Sequence, residues 1–105
     1  MSDIQATHRL KYSRLPYDNE GYVIHMLTSS LRTFLTNAYI IETKNGLVVV
    51  DTMMINSDAA QLRQYVNNLG KPLLAVIITH GHPDHYNGTH VVISGLDHIP
   101  IISTK

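Results

Sequence analysis

The sequence of 105 residues contains no cysteine. This absence excludes disulfide bonds and excludes thiolate ligands for a metal ion. It says little about the cellular compartment.

The sequence also lacks an excess of charge of either sign. Eight basic and eight acidic residues give a formal net charge of zero and an isoelectric point near 7.1. No basic run or patch is visible, and the same balance argues against an acidic tail or a membrane-surface segment. We therefore expect neither nucleic acid nor a membrane as a partner.

Long hydrophobic runs are missing as well. No stretch approaches 18 consecutive apolar residues, and the polar start at residues 1–7 lacks the apolar region that a signal peptide carries. The sequence thus predicts neither a transmembrane helix nor a signal peptide. The expected location is the cytoplasm.

What remains is the composition of an ordinary globular domain, with 44% hydrophobic and 15% charged residues. This length allows one domain with a modest core. Residues 1–20 are interpreted as a polar lead-in with an edge strand near residues 8–14. Five further segments are rich in β-branched or aromatic residues and are predicted strands: 21–28, 36–43, 47–51, 73–79 and 99–103.

Two connections in this pattern carry specific signals. The Asn45-Gly46 pair predicts a hairpin with a type I′ turn. The pattern changes after Asp51 and predicts a helix over 58–69, with Ser57 as its N-cap. The apolar positions of this helix follow helical spacing: Ala59, Leu62, Val66 and Leu69. A second, short helix is predicted within 88–97.

The strand at 47–51, the helix and the strand at 73–79 form a predicted βαβ unit. Its crossover makes the two strands parallel, so Asp51 and His80 fall at the same carboxyl edge, where open α/β sheets place their ligands. The later strand is apolar without alternation, which predicts cover on both faces. We therefore expect the sheet face opposite the helix to be apolar too.

The densest chemistry in the chain is the sequence THGHPDHYNG at residues 79–88. For this composition the pattern HxHxDH is expected by chance in roughly two sequences in a thousand. Imidazoles and a carboxylate are ligands for zinc and its first-row neighbours. Alternation lets His80 and His82 face one side of an extended strand end, while Asp84 and His85 follow the corner made by Pro83. Two ligands for one metal ion and two for another are predicted.

Together with the residues at 36–41 and 48–52, this motif resembles the metallo-β-lactamase-fold superfamily of metal-dependent hydrolases. His85 makes the motif more similar to the glyoxalase II and lactonase branches than to the antibiotic-degrading enzymes. The resemblance implies an α/β fold, half of an αββα sandwich, with a mixed sheet and helices on one face. It also implies a small-molecule substrate.

The resemblance assigns roles to five residues. It implies that His80 and His82 bind a first metal ion, and that Asp84 and His85 bind a second. Asp84 is also a candidate catalytic residue, since it can orient the attacking water or pass a proton. Asp51 would support the ligands from outside the coordination sphere, the alternative being a cap for the following loop. Zinc is the expected metal, with iron as the alternative.

In a complete site of this kind a metal-bound hydroxide attacks an ester, thioester, lactone or amide carbonyl. Members of the family are considerably longer, and their remaining metal ligands come from later in the chain. His90 and His98 follow the motif too closely to be those ligands and are interpreted as ordinary surface or helix-face histidines. His25 has no visible partner and is interpreted as structural.

We therefore expect residues 21–105 to be the amino-terminal portion of a metallo-β-lactamase-like domain, inactive by itself. The alternative is a non-catalytic metal-binding fragment or interaction half that needs another polypeptide. An oligomer through the uncovered sheet face is a further expectation.

Overall fold

In a computed structural model of the chain, the described residues form one mixed β-sheet of six strands. The structure describes residues 10–15, 21–29, 36–53, 55–79 and 88–103. The strands are β1 (Lys11–Arg14), β2 (Tyr22–Thr28), β3 (Asn37–Thr43), β4 (Leu47–Val50), β5 (Leu73–Ile78) and β6 (Ile101–Ser103). The helices are α1 (Asn56–Asn68) and α2 (Thr89–Val92).

The order of the strands in the sheet is the order of the strands in the chain. β1 to β4 pair antiparallel, whereas β4–β5 and β5–β6 pair parallel. The predicted βαβ unit is confirmed, because α1 connects the parallel strands β4 and β5. The predicted mixed α/β architecture is also confirmed, with bounds of β2 to β6 that differ from expectation by one or two residues. The edge strand expected near residues 8–14 is present as β1 from Lys11, and residues 8 and 9 lie outside the described residues.

The start of α1 differs from the prediction. The N-cap is Ile55, in extended conformation and without a side-chain cap hydrogen bond, and Ser57 lies inside the first turn. Ser57 as N-cap is therefore wrong. Backbone geometry sets the start instead, since Ala59 N donates to Ile55 O at 3.0 Å and closes the first turn. Asp58 places a negative charge in that turn, where the helix dipole favours it.

The hairpin between β3 and β4 is confirmed, but its predicted type I′ turn is wrong. That turn requires positive φ at both central residues, and Asn45 of the predicted pair is not among the described residues with positive φ. The Thr43 hydroxyl closes the connection instead. Thr43 Oγ1 donates to Gly46 O at 2.9 Å and accepts hydrogen bonds from the backbone N–H groups of Asn45 and Gly46.

The core lies between the sheet and α1. Leu27, Ile40, Val49 and Val76 are fully buried on one face of the sheet, one on each of the strands β2 to β5, and Leu62 of α1 is equally buried. These positions alternate along each strand, as expected for a sheet that packs one face against a helix. None of the described helices has the length and apolar character needed to cross a membrane.

The opposite face of the sheet is apolar as well. Strand register aligns one row across five strands: Met26, Tyr39, Val50, Ile77 and Ile102. Four of these side chains are half-buried, and Ile102 is exposed. The described residues thus bury Val76 and Ile78 of β5 on the helix side and cover Ile77 only in part on the other. Such a face has the character of a sheet that packs against a second layer.

His25 has partners that the sequence does not reveal. Its Nε2 lies 2.9 Å from Glu42 Oε1, and its Nδ1 lies 2.6 Å from the Tyr12 hydroxyl. Because a carboxylate only accepts hydrogen bonds, Nε2 carries a proton, and in the neutral imidazole Nδ1 accepts the hydrogen bond of the tyrosine hydroxyl. Lys71 Nζ is 2.9 Å from the other Glu42 oxygen, so the carboxylate connects β2 to the end of α1.

The hydrogen bonds from His25 and Lys71 lower the pKa of Glu42 below its ordinary value of 4.5. We expect Glu42→Gln to reduce the free energy of unfolding at pH 7 by about 1–2 kcal/mol. Because the pKa of Glu42 is lower in the folded state, the ionised carboxylate stabilises that state at pH values above its ordinary pKa. This stabilisation is lost as the pH falls through the lowered pKa. Denaturant titrations at pH 7 and pH 3 check the prediction, with the exposed Asp97→Asn as control. The prediction would be wrong if Glu42→Gln lowered the free energy of unfolding by the same amount at pH 7 and at pH 3.

Candidate metal centre

A tight turn at residues 51–53 follows β4 at the carboxyl edge of the sheet. Asp51, Thr52 and Met53 are 4%, 0% and 0% exposed. Asp51 and Met53 have φ values of 65° and 75°, a region that residues with a side chain occupy rarely. Two such residues within three positions are costly, and strain of this kind persists where surrounding contacts fix it. The contacts that fix this turn are made by residues just before and just after the HxHxDH segment in the chain.

The segment that precedes the motif is held by Asp51. Thr79 N donates to Asp51 Oδ1 at 2.9 Å, and Thr79 Oγ1 donates to Asp51 Oδ2 at 2.7 Å. Asp51 N in turn donates to Ile77 O at 2.8 Å, which extends the β4–β5 pairing by one residue. Both carboxylate oxygens therefore fix the residue that directly precedes His80.

The segment that follows the motif is held by the other two residues of the 51–53 turn. Gly88 N donates to Met53 O at 2.9 Å, and the hydroxyls of Thr52 and Thr89 are 2.9 Å apart. A Cβ atom on Gly88 would lie 2.2 Å from Thr52 O and 2.5 Å from Ala59 Cβ. Position 88 therefore requires glycine because neighbouring atoms leave no room for a Cβ atom. The backbone conformation is not the reason, since a φ of −84° is open to any residue.

Helix α2 begins at Thr89 and is fixed at its other end by α1. Arg63 Nη1 donates to Val92 O at 3.0 Å and to Ser94 O at 2.6 Å. Val92 is fully buried. The end of the motif is therefore attached to the core through the 51–53 turn and through α1.

The four predicted ligands His80, His82, Asp84 and His85 lie outside the described residues. Within the described ranges, no three histidine, aspartate or glutamate side chains come together as a metal site requires. The structure does place the flanks: Thr79 and Gly88 are both bonded to the 51–53 turn. Both flanks of the motif are thus attached to the same turn. This attachment suits a segment that carries metal ligands, since a metal site needs ligands whose conformational freedom is restricted.

The remaining predicted residues are described. Asp51 lies at the carboxyl edge beside Thr79, as the βαβ unit predicts; its role towards the ligands stays a prediction. His90 and His98 are both exposed, in agreement with their interpretation as surface residues.

This arrangement of sheet, turn and motif can be compared with known proteins. The family model of the metallo-beta-lactamase superfamily matches residues 31–104, well over half of the chain. The chain belongs to this superfamily. The resemblance based on the motif is thereby confirmed for the superfamily, and the glyoxalase II and lactonase branches stay a prediction.

Curated relatives match over part of their length. An uncharacterized protein of Bacillus subtilis (strain 168), YobT, is 29% identical over 82 residues, which are 78% of this chain and 35% of that protein. A linear primary-alkylsulfatase from a Pseudomonas species is 37% identical over 65 residues, which are 60% of this chain and 10% of that enzyme. The chain thus spans about a third or less of the length of these relatives.

Solved metallo-beta-lactamase structures share the fold. The enzyme from Hirschia baltica superimposes with a TM-score of 0.66 at 25% identity, over 92% of this chain and 44% of that one. FIM-1 from Pseudomonas aeruginosa, solved in its mono-zinc form, gives 0.64 at 19% identity, over 90% and 42% of the two chains. The metallo-β-lactamase fold predicted for this chain is confirmed.

Sequence reasoning missed the contact between Thr52 and Thr89 and the steric cause of Gly88. Both depend on tertiary approach between residues far apart in the chain, which no local pattern encodes. One signal was available. Thr52 follows the strand that ends beside the motif, so a hydroxyl was predictable at that edge, although its partner was not.

We expect Gly88→Ala to lower the free energy of unfolding by about 2–3 kcal/mol, the range for forcing extra atoms into a packed site. Gly95→Ala is the matched control. Its Cβ would meet nothing within 4 Å, but its φ is 78°, so the expected cost is about 1 kcal/mol of backbone strain.

Denaturant unfolding of both variants measures the difference. If Gly88→Ala lowered the free energy of unfolding by no more than Gly95→Ala does, the prediction would be wrong. The atoms of Thr52 would then move away from an added Cβ atom without an energetic cost.

Proposed function

We propose that the chain provides the HxHxDH ligand segment of a metal-dependent hydrolase. The observation that carries this proposal is the attachment of both flanks of the motif, at Thr79 and Gly88, to one buried turn. The superfamily supports the hydrolase class, and the frame supports a metal-binding role for the residues between the flanks.

In this proposal His80 and His82 hold one metal ion, and Asp84 and His85 hold a second. Imidazole nitrogen and carboxylate oxygen fit zinc, and one structural neighbour is a mono-zinc enzyme. Iron suits the same donors and is the alternative metal. A bound zinc ion lowers the pKa of a coordinated water towards 7 and polarises an oxygen of the substrate.

The protein residues then have separate tasks. Asp84 orients the attacking water or accepts its proton. Asp51 restrains the chain at Thr79, the residue that directly precedes His80 in the sequence. A carboxylate at this position acts through geometry, since both of its oxygens accept hydrogen bonds from Thr79.

The substrate class we propose is an ester, thioester, lactone or amide, whose carbonyl carbon is attacked by water. A second candidate is a sulfate ester, because alkylsulfatases are among the relatives. The two classes differ in the atom attacked and in the leaving group, so product analysis separates them.

Zinc titration of the chain tests the proposal. We expect binding that weakens by more than about 100-fold when His80→Ala and His82→Ala are combined, beyond the loss typical of residues outside the coordination sphere. The control combines His90→Ala with His98→Ala, two exposed histidines, and should leave the zinc affinity unchanged. Equal zinc affinity in both double variants would refute the proposed ligands.

Hydrolysis is measured in the same samples with a carboxylic ester, a thioester, a lactone, an amide and an alkyl sulfate. Turnover by these 105 residues should stay near background, because the motif gives each metal position two protein ligands and a catalytic zinc usually has three. Zinc-dependent turnover that disappears in the ligand double variant would identify the substrate class and contradict the expected inactivity.

Asp51→Asn is expected to weaken zinc binding by about 10- to 100-fold, the usual effect of a residue that orients ligands. The amide retains one acceptor oxygen for Thr79 N and loses the charge. Asp97→Asn, at an exposed position, is the matched control. Unchanged zinc affinity in Asp51→Asn would reduce Asp51 to a cap for the 51–53 turn.

A further inference from the structure

Three hydrogen-bonded side chains form a cluster across strands β1 to β3 that the proposed function does not use. In the neutral imidazole of His25, Nδ1 accepts a hydrogen bond from the Tyr12 hydroxyl at 2.6 Å, and Nε2 donates to Glu42 Oε1 at 2.9 Å. The cluster therefore places a hydroxyl, a base and a carboxylate in sequence. A hydroxyl nucleophile is activated by this arrangement, in which a base accepts its proton and a third group orients the base.

The imidazole of His25 is held in one orientation. His25 is 7% exposed, and Glu42 engages its Nε2 proton, so the lone pair of Nδ1 stays directed at Tyr12. Lys71 Nζ lies 2.9 Å from the second oxygen of Glu42, and this positive charge favours the ionised carboxylate. An ionised Glu42 stabilises the imidazolium that forms when His25 takes a proton.

Tyr12 combines a fixed ring with exposure to solvent. Its ring is stacked on that of Tyr65 from α1, with 5.4 Å between the ring centroids and an interplanar angle of 8°. This stacking and the hydrogen bond to His25 restrain the side chain at the ring and at the hydroxyl. Tyr12 is nevertheless 42% exposed, so a reagent in solution reaches it.

The cluster of Tyr12, His25 and Glu42 is separate from the candidate metal centre. Glu42 pairs with Leu47, the first residue of β4, whereas Asp51 follows the last residue of that strand. Glu42 and Asp51 thus lie at opposite ends of β4. The cluster also contains a base of its own, so a reaction at Tyr12 does not depend on the ligands of the metal centre.

From this geometry we infer that Tyr12 is a nucleophilic site that accepts acyl groups from activated carboxylic esters such as aryl esters. His25 is the general base, and Glu42 is a positioning residue. The Tyr12 oxygen attacks the ester carbonyl carbon while its proton moves to His25 Nδ1. The bond between the carbonyl carbon and the aryl oxygen then breaks, and the aryl oxygen leaves as an anion. The imidazolium releases the proton to solvent, and the product is O-acyl Tyr12.

The probe is p-nitrophenyl acetate, added to the full chain in the presence of a chelator so that no metal ion takes part. Released nitrophenolate gives the rate, and mass mapping of peptides locates the acetyl group. We expect Tyr12 to be acetylated about 100-fold faster than Tyr22, the lower end of the range for general acid–base catalysis. Tyr22 is the internal control, because it is 38% exposed and lies three positions from His25 on β2, hence on the opposite face.

Two variants test the roles of the base and of the carboxylate. His25→Gln should lower acetylation of Tyr12 by about 100-fold, to the rate of Tyr22. Glu42→Gln should lower it by at least about 10-fold, because the imidazolium loses the charge that stabilises it. Tyr22 should react at the same rate in both variants. The matched control His90→Gln changes an exposed histidine and should leave acetylation of Tyr12 unchanged.

Thermal unfolding verifies that each variant is folded. If His25→Gln does not fold, Glu42→Gln and the comparison of the two tyrosines in the original chain decide. Equal rates at Tyr12 and Tyr22 in the original chain overturn the inference, as does fast acetylation of Tyr12 that persists in a folded His25→Gln or Glu42→Gln variant. An acetyl group found on Lys71 in place of Tyr12 also overturns it. These outcomes leave the proposed function standing, since it depends on the HxHxDH segment.

Discussion

The bond between the Asp51 carboxylate and Thr79 is the constraint on which the rest of the arrangement depends. Both oxygens accept hydrogen bonds from one residue, at 2.9 and 2.7 Å, in a site that is almost closed to solvent. Hydrogen bonds to an ionised acceptor are stronger than neutral ones, and removing one partner of such a pair leaves a desolvated charge. This contact offsets part of the strain in the 51–53 turn. The same turn holds the residues on both sides of the motif through its hydrogen bonds.

Much of the sheet is predictable because its signals are local. The apolar run of β5, the helical spacing of Ala59, Leu62 and Val66, and the stop after Leu69 are all visible in short windows. The details that failed depend on competition between local groups. Asn45-Gly46 favours a type I′ turn, but in the structure the Thr43 hydroxyl accepts hydrogen bonds from the backbone N–H groups of Asn45 and Gly46. Ser57 is a good N-cap residue, yet the helix starts earlier because the extended Ile55 already accepts from Ala59 N.

The candidate site likewise has features that the sequence predicts and features that it does not. Its ligand types follow from a dense and improbable pattern, and the placement of Asp51 follows from parallel pairing of β4 with β5. The remaining contacts could not be predicted. The Thr52–Thr89 pair and the approach of Gly88 to Thr52 depend on the distance between a turn and a helix, and the two partners of His25 lie on two different strands, β1 and β3. Pairings of this kind are properties of the packed molecule, so a sequence shows the groups without their distances.

The order of the sheet has a consequence for how the molecule forms. Every strand pairs with its neighbour in the chain, so β1 to β4 can assemble as nearest-neighbour hairpins while synthesis continues. Local pairing of this kind is fast, whereas the parallel strand β5 needs a crossover and is slower. Thr79 and Gly88 lie later in the chain than β1 to β4. The contacts of Asp51 with Thr79 and of Met53 with Gly88 therefore form only when these later residues are present, so the frame is completed by the two flanks of the motif that it holds.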